Sequence, residues 1–139
     1  MKKYEILPHT ADLKIKVFGE TKEELFLNAL LAMSECLKPD VKQKIKKGAA
    51  IKREISIKSA DLSALLVDFL SEALYLSQVN KESYNDLKIN NFSDTQINGE
   101  LSGFSIERFG EDIKAATYHN LDISQKDDST WEAVILFDI

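Results

Sequence analysis

Acidic residues near the two ends of the sequence have the types and positions needed to bind a metal ion. Asp12 directly precedes the alternating apolar segment 13–17, whereas Asp138 and Ile139 follow the strongly apolar segment 133–137. If the second segment is a buried strand, the α-carboxylate of Ile139 is expected to be held beside the Asp138 side chain. Carboxylates this close repel each other unless a positive charge balances them. Because carboxylate oxygens are the donors that Ca²⁺, Mg²⁺ and Mn²⁺ prefer, these three residues are candidate ligands of a divalent cation.

Each candidate residue also has a simpler structural explanation. Asp12 could be a turn residue or a hydrogen-bond acceptor at a strand end, and Asp138 could be a solubilising charge. His9 and His119 could be ligands or neighbours of ligands, although histidines more often form structural hydrogen bonds. Lys114 could be a solvent-facing strand residue, or the counter-ion that removes any need for a metal. The spacing alone therefore leaves the metal site open as one of several alternatives.

The sequence lacks the signatures of several other functional sites. Its five glycines form neither a phosphate-binding loop nor a dinucleotide fingerprint, and G-x-S-x-G, CxxC and HExxH motifs are absent. The single cysteine, Cys36, lies in an apolar helical pattern and is interpreted as a buried residue. One cysteine cannot form an internal disulfide, which suits the cytosol. The N-terminal residues are not followed by a long apolar run, so we expect a cytoplasmic protein without a membrane partner.

The charge distribution bears on nucleic-acid binding. A net charge of −5 argues against a protein that coats nucleic acid non-specifically. The segment 42–58 is nevertheless strongly basic, and either forms a solvated loop and strand face or contacts RNA or an acidic partner. Its basic residues are Lys42, Lys44, Lys46, Lys47, Lys52, Arg53 and Lys58.

Two helices are predicted from apolar residues that recur at helical spacing. The first spans 22–37 and begins with a Thr-x-x-Glu capping box. The second begins near residue 59, runs to about residue 79 and has Asp61 in its first turn, where a negative charge favours the helix dipole. Asp68 lies beside the apolar stripe of this helix. Asp61 and Asp68 are interpreted first as a helix cap and part of a polar face.

The remaining apolar segments predict strands and a fold class. Period-two alternation predicts strands at 13–17, 51–58, 87–92, 97–109, 113–118 and 131–137, with a short piece at 121–124. The alternation changes phase near Gly103, so a bulge or bend is expected there. Strands that follow one another along the chain favour a mixed or mostly antiparallel sheet with both helices packed on one face. We therefore expect a single two-layer α+β domain over residues 1–139.

Five short segments together resemble the archease family. They are HTAD at 9–12, the helix start G-x-T-x-x-ELF at 19–26, LLVDFL at 65–70, KAATYH at 114–119 and FDI at 137–139. The resemblance covers essentially the whole sequence, in the same order and at the same overall length. It implies the archease fold.

The resemblance also implies a function. Archeases are small metal-binding accessory proteins of the RtcB-type RNA ligase, which joins tRNA halves during splicing and acts in RNA repair. This protein is thus expected to promote guanylylation of the ligase and its multiple turnover, without being an enzyme and with only indirect contact to RNA. The resemblance assigns the cation, most simply Ca²⁺, to Asp12, Asp138 and a backbone or terminal oxygen of Ile139. Residues that could surround the cation or contact the ligase are His9, Lys114, His119, Asp61 and Asp68.

Two other functions are considered as alternatives. One is a chaperone or modulator of nucleic-acid-modifying enzymes such as methyltransferases, acting through the basic segment 42–58. The other is a metal-dependent phosphohydrolase that uses the same carboxylates with His119 as the general base.

Overall fold

The computed structural model of the protein describes residues 2–7, 12–40, 51–117 and 123–139. The described elements are β1 (Tyr4–Leu7), β2 (Asp12–Gly19), α1 (Lys22–Cys36), β3 (Pro39–Asp40), β4 (Ile51–Lys58), α2 (Leu62–Asn80), β5 (Glu82–Ser93), β6 (Gln96–Ser105), β7 (Arg108–Phe109), β8 (Ala115–Thr117), β9 (Ile123–Gln125) and β10 (Trp131–Asp138).

The strands form separate antiparallel sheets. A first, five-stranded sheet has the order β1-β2-β10-β8, with β9 also pairing with β10. A second, three-stranded sheet has the order β4-β6-β5, and the short strands β3 and β7 pair with each other. The predicted α+β class with mostly antiparallel strands is therefore confirmed. The described strands are divided among three sheets by their hydrogen bonds, which local alternation does not specify.

Both helices pack against both of the larger sheets and join them into one core. Helix α1 contacts β2 and β10 of the first sheet and β5 of the second, while α2 contacts β4, β5 and β6 as well as β8. The largest fully buried side chains come from both helices and both sheets: Phe26, Leu30, Leu65, Phe69, Tyr84, Ile15 and Phe137 among them. Burial of these side chains fixes the first sheet against the helices, and thereby positions the ends of β2 and β10.

Both helices begin at side chains that satisfy backbone N–H groups of the first turn. In α1, Thr21 Oγ1 accepts a hydrogen bond from Glu24 N at 3.0 Å, and Glu24 Oε1 accepts one from Glu20 N at 3.0 Å. In α2, Asp61 Oδ1 accepts one from Ala64 N at 2.8 Å. The predicted start near residue 59 is therefore about one turn too early, because the Asp61 cap fixes the first helical residue as Leu62.

The irregularity predicted near Gly103 lies in the neighbouring strand instead. Strand β6 runs without a break through Gly103, whereas the register of β5 shifts between Tyr84 and Asp86 and again between Ile89 and Asn91. A Cβ atom at Gly103 would collide with the backbone carbonyl oxygen of Ser83. The glycine thus allows β5 to approach β6 closely beside the bulge.

Helix α2 is long and apolar enough, by length and composition, to cross a membrane. Its mean hydropathy is 1.3 over 18 residues, half of which are buried within the protein. Leu65, Leu66, Phe69 and Leu70 of this helix are fully buried. These side chains belong to the hydrophobic core that the helices share with the strands of the protein itself.

Candidate metal centre

The register of the first sheet places Asp12 directly opposite Asp138. Asp12 is the first residue of β2 and Asp138 the last of β10, and the two are Cα partners in the antiparallel pair. Directly opposed residues project from the same face, with Cβ atoms about 4.5–5.5 Å apart. The buried pair Ile15 and Ile135 faces the helices, so Asp12 and Asp138 lie on the opposite, outer face. Folding therefore brings these two carboxylates from distant parts of the sequence to one place.

The backbone around Asp138 is held by strand β8. The backbone N–H of Lys114 donates a hydrogen bond to the Asp138 carbonyl oxygen at 2.6 Å, and Ala115 is the Cα partner of Asp138. The Asp138 side chain is exposed, Asp12 is half-buried, and Ile139 is 48% exposed. Because its carbonyl is already paired, Asp138 would contribute its side chain to a cation. The Lys114 side chain is exposed, and its role as a counter-ion or ligase contact stays a prediction.

Not all of the residues predicted to surround the cation are placed beside Asp12 and Asp138 by the structure. His9 and His119 lie outside the described residues, so their predicted roles are unchanged. Asp61 caps α2, and Asp68 Oδ2 accepts a hydrogen bond from Ser59 Oγ at 2.6 Å at the start of the same helix. The structure thus shows Asp61 as the helix cap that the simpler interpretation expected, and it gives Asp68 a hydrogen bond from Ser59, which precedes the helix.

The donor set at the pair fits a hard divalent cation in type. Such cations prefer carboxylate, carbonyl and water oxygens, and Ca²⁺ takes six to eight of them. Within the described ranges no group of three or more His, Cys, Asp or Glu side chains is placed to hold a metal. Asp12 and Asp138 would therefore supply two side-chain ligands, and Ile139 a backbone or terminal oxygen. The rest of the shell would come from water or from other groups near the strand ends.

The second sheet contains a buried ionic network that was not predicted from the sequence. Arg53 donates two hydrogen bonds to the Glu82 carboxylate, Nε to Oε1 at 2.9 Å and Nη2 to Oε2 at 2.8 Å. The Tyr84 hydroxyl donates to Glu82 Oε1 at 2.7 Å, and Ser77 Oγ donates to the Glu82 backbone carbonyl. Glu82 is 4% exposed and Tyr84 1% exposed. The network joins β4, β5 and the end of α2.

The ionisation of this network follows from its contacts. The hydrogen bonds from Arg53 hold the pKa of Glu82 below its usual range, assisted by Tyr84 and opposed by burial. Burial, together with the bond to Glu82, raises the pKa of Tyr84. One sequence signal could have identified Arg53. It lies two residues before the core-facing Ile55 in an alternating strand, so its side chain is expected on the same, core-facing side. In the sequence, Arg53 was interpreted only as part of a basic surface.

Comparison with known proteins identifies the fold class first. The solution structure of protein 1598 from Methanobacterium thermoautotrophicum matches with a TM-score of 0.73 and 26% identity, covering all of both chains. A crystal structure from Thermotoga maritima, described as an archease and possible chaperone, matches with a TM-score of 0.65 and 19% identity, covering 97% of this chain and 96% of that one. The α+β arrangement described above is therefore the archease fold.

Sequence comparison then gives the family. The model of the Archease protein family (MTH1598/TM1083) matches residues 4–139. The protein archease of Methanosarcina barkeri is 41% identical, covering 99% of this chain and 97% of the relative, and that of Pyrococcus furiosus is 34% identical over the full length of both. This chain belongs to the archease family.

Proposed function

We propose that this protein is a non-enzymatic, cation-dependent activator of an RtcB-type RNA ligase, acting in the cytoplasm in tRNA splicing and RNA repair. Membership of the archease family supports an accessory role. The observation that carries the cation dependence is the direct opposition of Asp12 and Asp138 at the ends of β2 and β10. A bound cation would be attracted by both of the carboxylates that this register places directly opposite each other.

In the proposed mechanism, residues of this protein hold the cation and keep its ligands in position. Asp12, Asp138 and an oxygen of Ile139 hold the cation, and the hydrogen bond from Lys114 N fixes the backbone of Asp138. When bound, the cation would supply positive charge to the phosphates that react during ligase guanylylation. Phosphoryl transfer depends mainly on positioning and charge neutralisation, so a group that adds both to the ligase active site can accelerate it. Ca²⁺, Mg²⁺ and Mn²⁺ are all chemically suitable.

The test measures ligase guanylylation and multiple-turnover RNA joining with and without this protein. We expect stimulation by the wild type, and loss of stimulation by Asp12→Asn and Asp138→Asn. Asp127→Asn is the matched control, because Asp127 is exposed in the turn before β10 and makes the same charge change. Trp131 and Asp138 lie seven positions apart along β10, which places the control about 23 Å or more from the site. Lack of stimulation by the wild type, or full activity of both site variants, would contradict the proposal.

The chaperone-like role is the second candidate, favoured by the words "possible chaperone" for the Thermotoga maritima protein. If this role is correct, charge reversal on the basic surface should reduce ligase stimulation more than substitution of Asp12 or Asp138. Lys52 and Lys58 are exposed on β4 and suit charge reversal, whereas Arg53 does not because it holds Glu82. Loss of stimulation in Lys52→Glu with Lys58→Glu, combined with full activity of Asp138→Asn, would favour this role. Turnover of simple phosphoesters by the purified protein alone would instead favour a hydrolase.

A further inference from the structure

The outer face of the first sheet carries a lysine beside the carboxylate pair. Lys14 follows Asp12 by two residues on β2, so both side chains project from the same face. Its Cα partners on the neighbouring strands are Leu136 of β10 and Leu7 of β1, both apolar. On the described strands, Lys14 is thus the nearest same-face charged residue to the pair formed by Asp12 and Asp138.

The next lysine on the same face has a different environment. Lys16 lies opposite Glu5 on β1, and its Nζ lies 3.6 Å from Glu132 Oε1 on β10. Glu132 also lies 4.0 Å from Lys126 Nζ. The charge of Lys16 is therefore balanced locally. No carboxylate in the described part of the chain forms an ion pair of this kind with Lys14.

We infer that Lys14 sets the cation affinity of the site by acting as a competing positive charge. The inference rests on the cation site of the proposed function. Without a cation, Lys14 offsets the repulsion between Asp12 and Asp138. When a divalent cation binds, the same charge opposes it, so affinity is lower than the carboxylates alone would give. The protein thereby tolerates an empty site, and it binds the cation reversibly.

The size of the effect follows from the strand geometry. Positions two apart on one strand are separated by about 6.6 Å. A unit charge and a divalent cation at about 7 Å in near-aqueous surroundings repel enough to change a dissociation constant by about three- to tenfold. The Debye length is about 10 Å at 0.1 M salt, close to this separation, so the effect should shrink as salt is raised. Lys16, about twice as far from the pair and balanced by Glu132, should have a much smaller effect.

The experiment titrates Ca²⁺ into the metal-free full-length protein by isothermal calorimetry at low ionic strength. Lys14→Met should bind Ca²⁺ three- to tenfold more tightly than the wild type, and Lys14→Arg, which keeps the charge, should bind as the wild type does. Lys16→Met should change the affinity by less than twofold. Thermal unfolding gives a second readout: Lys14→Met should lower Tm in EDTA, and this loss should shrink in saturating Ca²⁺.

The outcomes separate this inference from the cation site on which it rests. If the wild type binds no Ca²⁺, or if Asp138→Asn binds it equally well, the cation site itself is wrong and the role of Lys14 fails with it. If Asp138→Asn abolishes binding but Lys14→Met leaves the affinity unchanged or weaker, only the role of Lys14 is overturned. Equal tightening by Lys14→Met and Lys16→Met would also overturn it, because it would indicate a general effect of net charge. Circular dichroism of each variant checks that the fold is retained.

Discussion

Replacing Glu82 with glutamine should destabilise the protein strongly, because Glu82 is the acceptor at the centre of the buried ionic network. The substitution keeps the shape of the side chain but removes the charge that accepts hydrogen bonds from Arg53 and Tyr84. Hydrogen bonds to charged groups contribute about 1.5–3 kcal/mol each. The side chain of Arg53 is 40% exposed, so solvent screening reduces its share, and one amide oxygen can still accept. We expect a loss of about 2–4 kcal/mol from the free energy of unfolding.

Such a loss is a large part of the roughly 5–15 kcal/mol by which domains are stable. With an unfolding entropy of about 2.1 cal/mol/K per residue, it corresponds to a Tm lower by roughly 7–14 °C. The assay is equilibrium urea unfolding at pH 7, followed by circular dichroism. Glu100→Gln is the matched control, since it removes the same charge from a longer pair with Lys52 at 3.9 Å, in which Lys52 is exposed and Glu100 is half-buried. It should cost less than about 1 kcal/mol. Equal losses in the two variants would refute the stabilising role of the network.

The pH dependence of the difference between wild type and Glu82→Gln provides an independent check. Glu82 has a depressed pKa in the folded state, so the unfolded state binds more protons between the folded value and the ordinary value of 4.5. Its contribution to stability is therefore fully present above pH 4.5, and is lost as pH falls through the folded pKa. The two proteins should differ by a constant amount from about pH 6 to 8 and converge at acid pH. Convergence at neutral pH instead would contradict the assignment.

Three further predictions follow from local geometry. Asp61→Ala should cost about 1 kcal/mol in urea unfolding by removing the cap of α2, while Ca²⁺ affinity stays unchanged; weakened Ca²⁺ binding would restore Asp61 as a candidate neighbour of the cation. Gly103→Ala should unfold the protein or shift β5, because its Cβ collides with Ser83 O, and near-wild-type stability would contradict that close contact. A Gly-Ser extension after Ile139 should weaken Ca²⁺ binding in calorimetry if a terminal carboxylate is a ligand, and leave it unchanged if the backbone carbonyl is.

Local sequence signals predicted the helices well because their determinants lie within a few residues. The capping box of α1 involves Thr21 and Glu24, and both the helix and its start are as expected. The start of the second helix was placed too early, because the apolar pattern extends outward past the capping residue Asp61. The short strands β1 and β3 were missed, since two to four residues carry too little alternation to be recognised.

Pairing between distant segments could not be predicted in the same way. Alternating apolar residues at 51–58 and 131–137 predicted two strands, but did not indicate that these strands belong to different sheets. From the sequence, Arg53 was interpreted as part of a basic surface. Only the tertiary arrangement of β4, β5 and α2 brings Glu82 close enough to be its partner. The change of phase near Gly103 predicted a bulge or bend in its own strand. The register shift instead places the extra residue in the partner strand β5.

The sequence by itself determined which residues can provide oxygen ligands, and its motifs indicated the archease family. Its composition and periodicity also determined the α+β class, because helical and strand patterns depend on nearby residues. Only the tertiary structure decided that Asp12 lies opposite Asp138, and that Lys14 shares their face. The physical reason is register: a shift of one residue between β2 and β10 would turn one of the two carboxylates toward the opposite face. That register is set by the core packing of Ile15, Ile135 and their neighbours on the other face of the sheet.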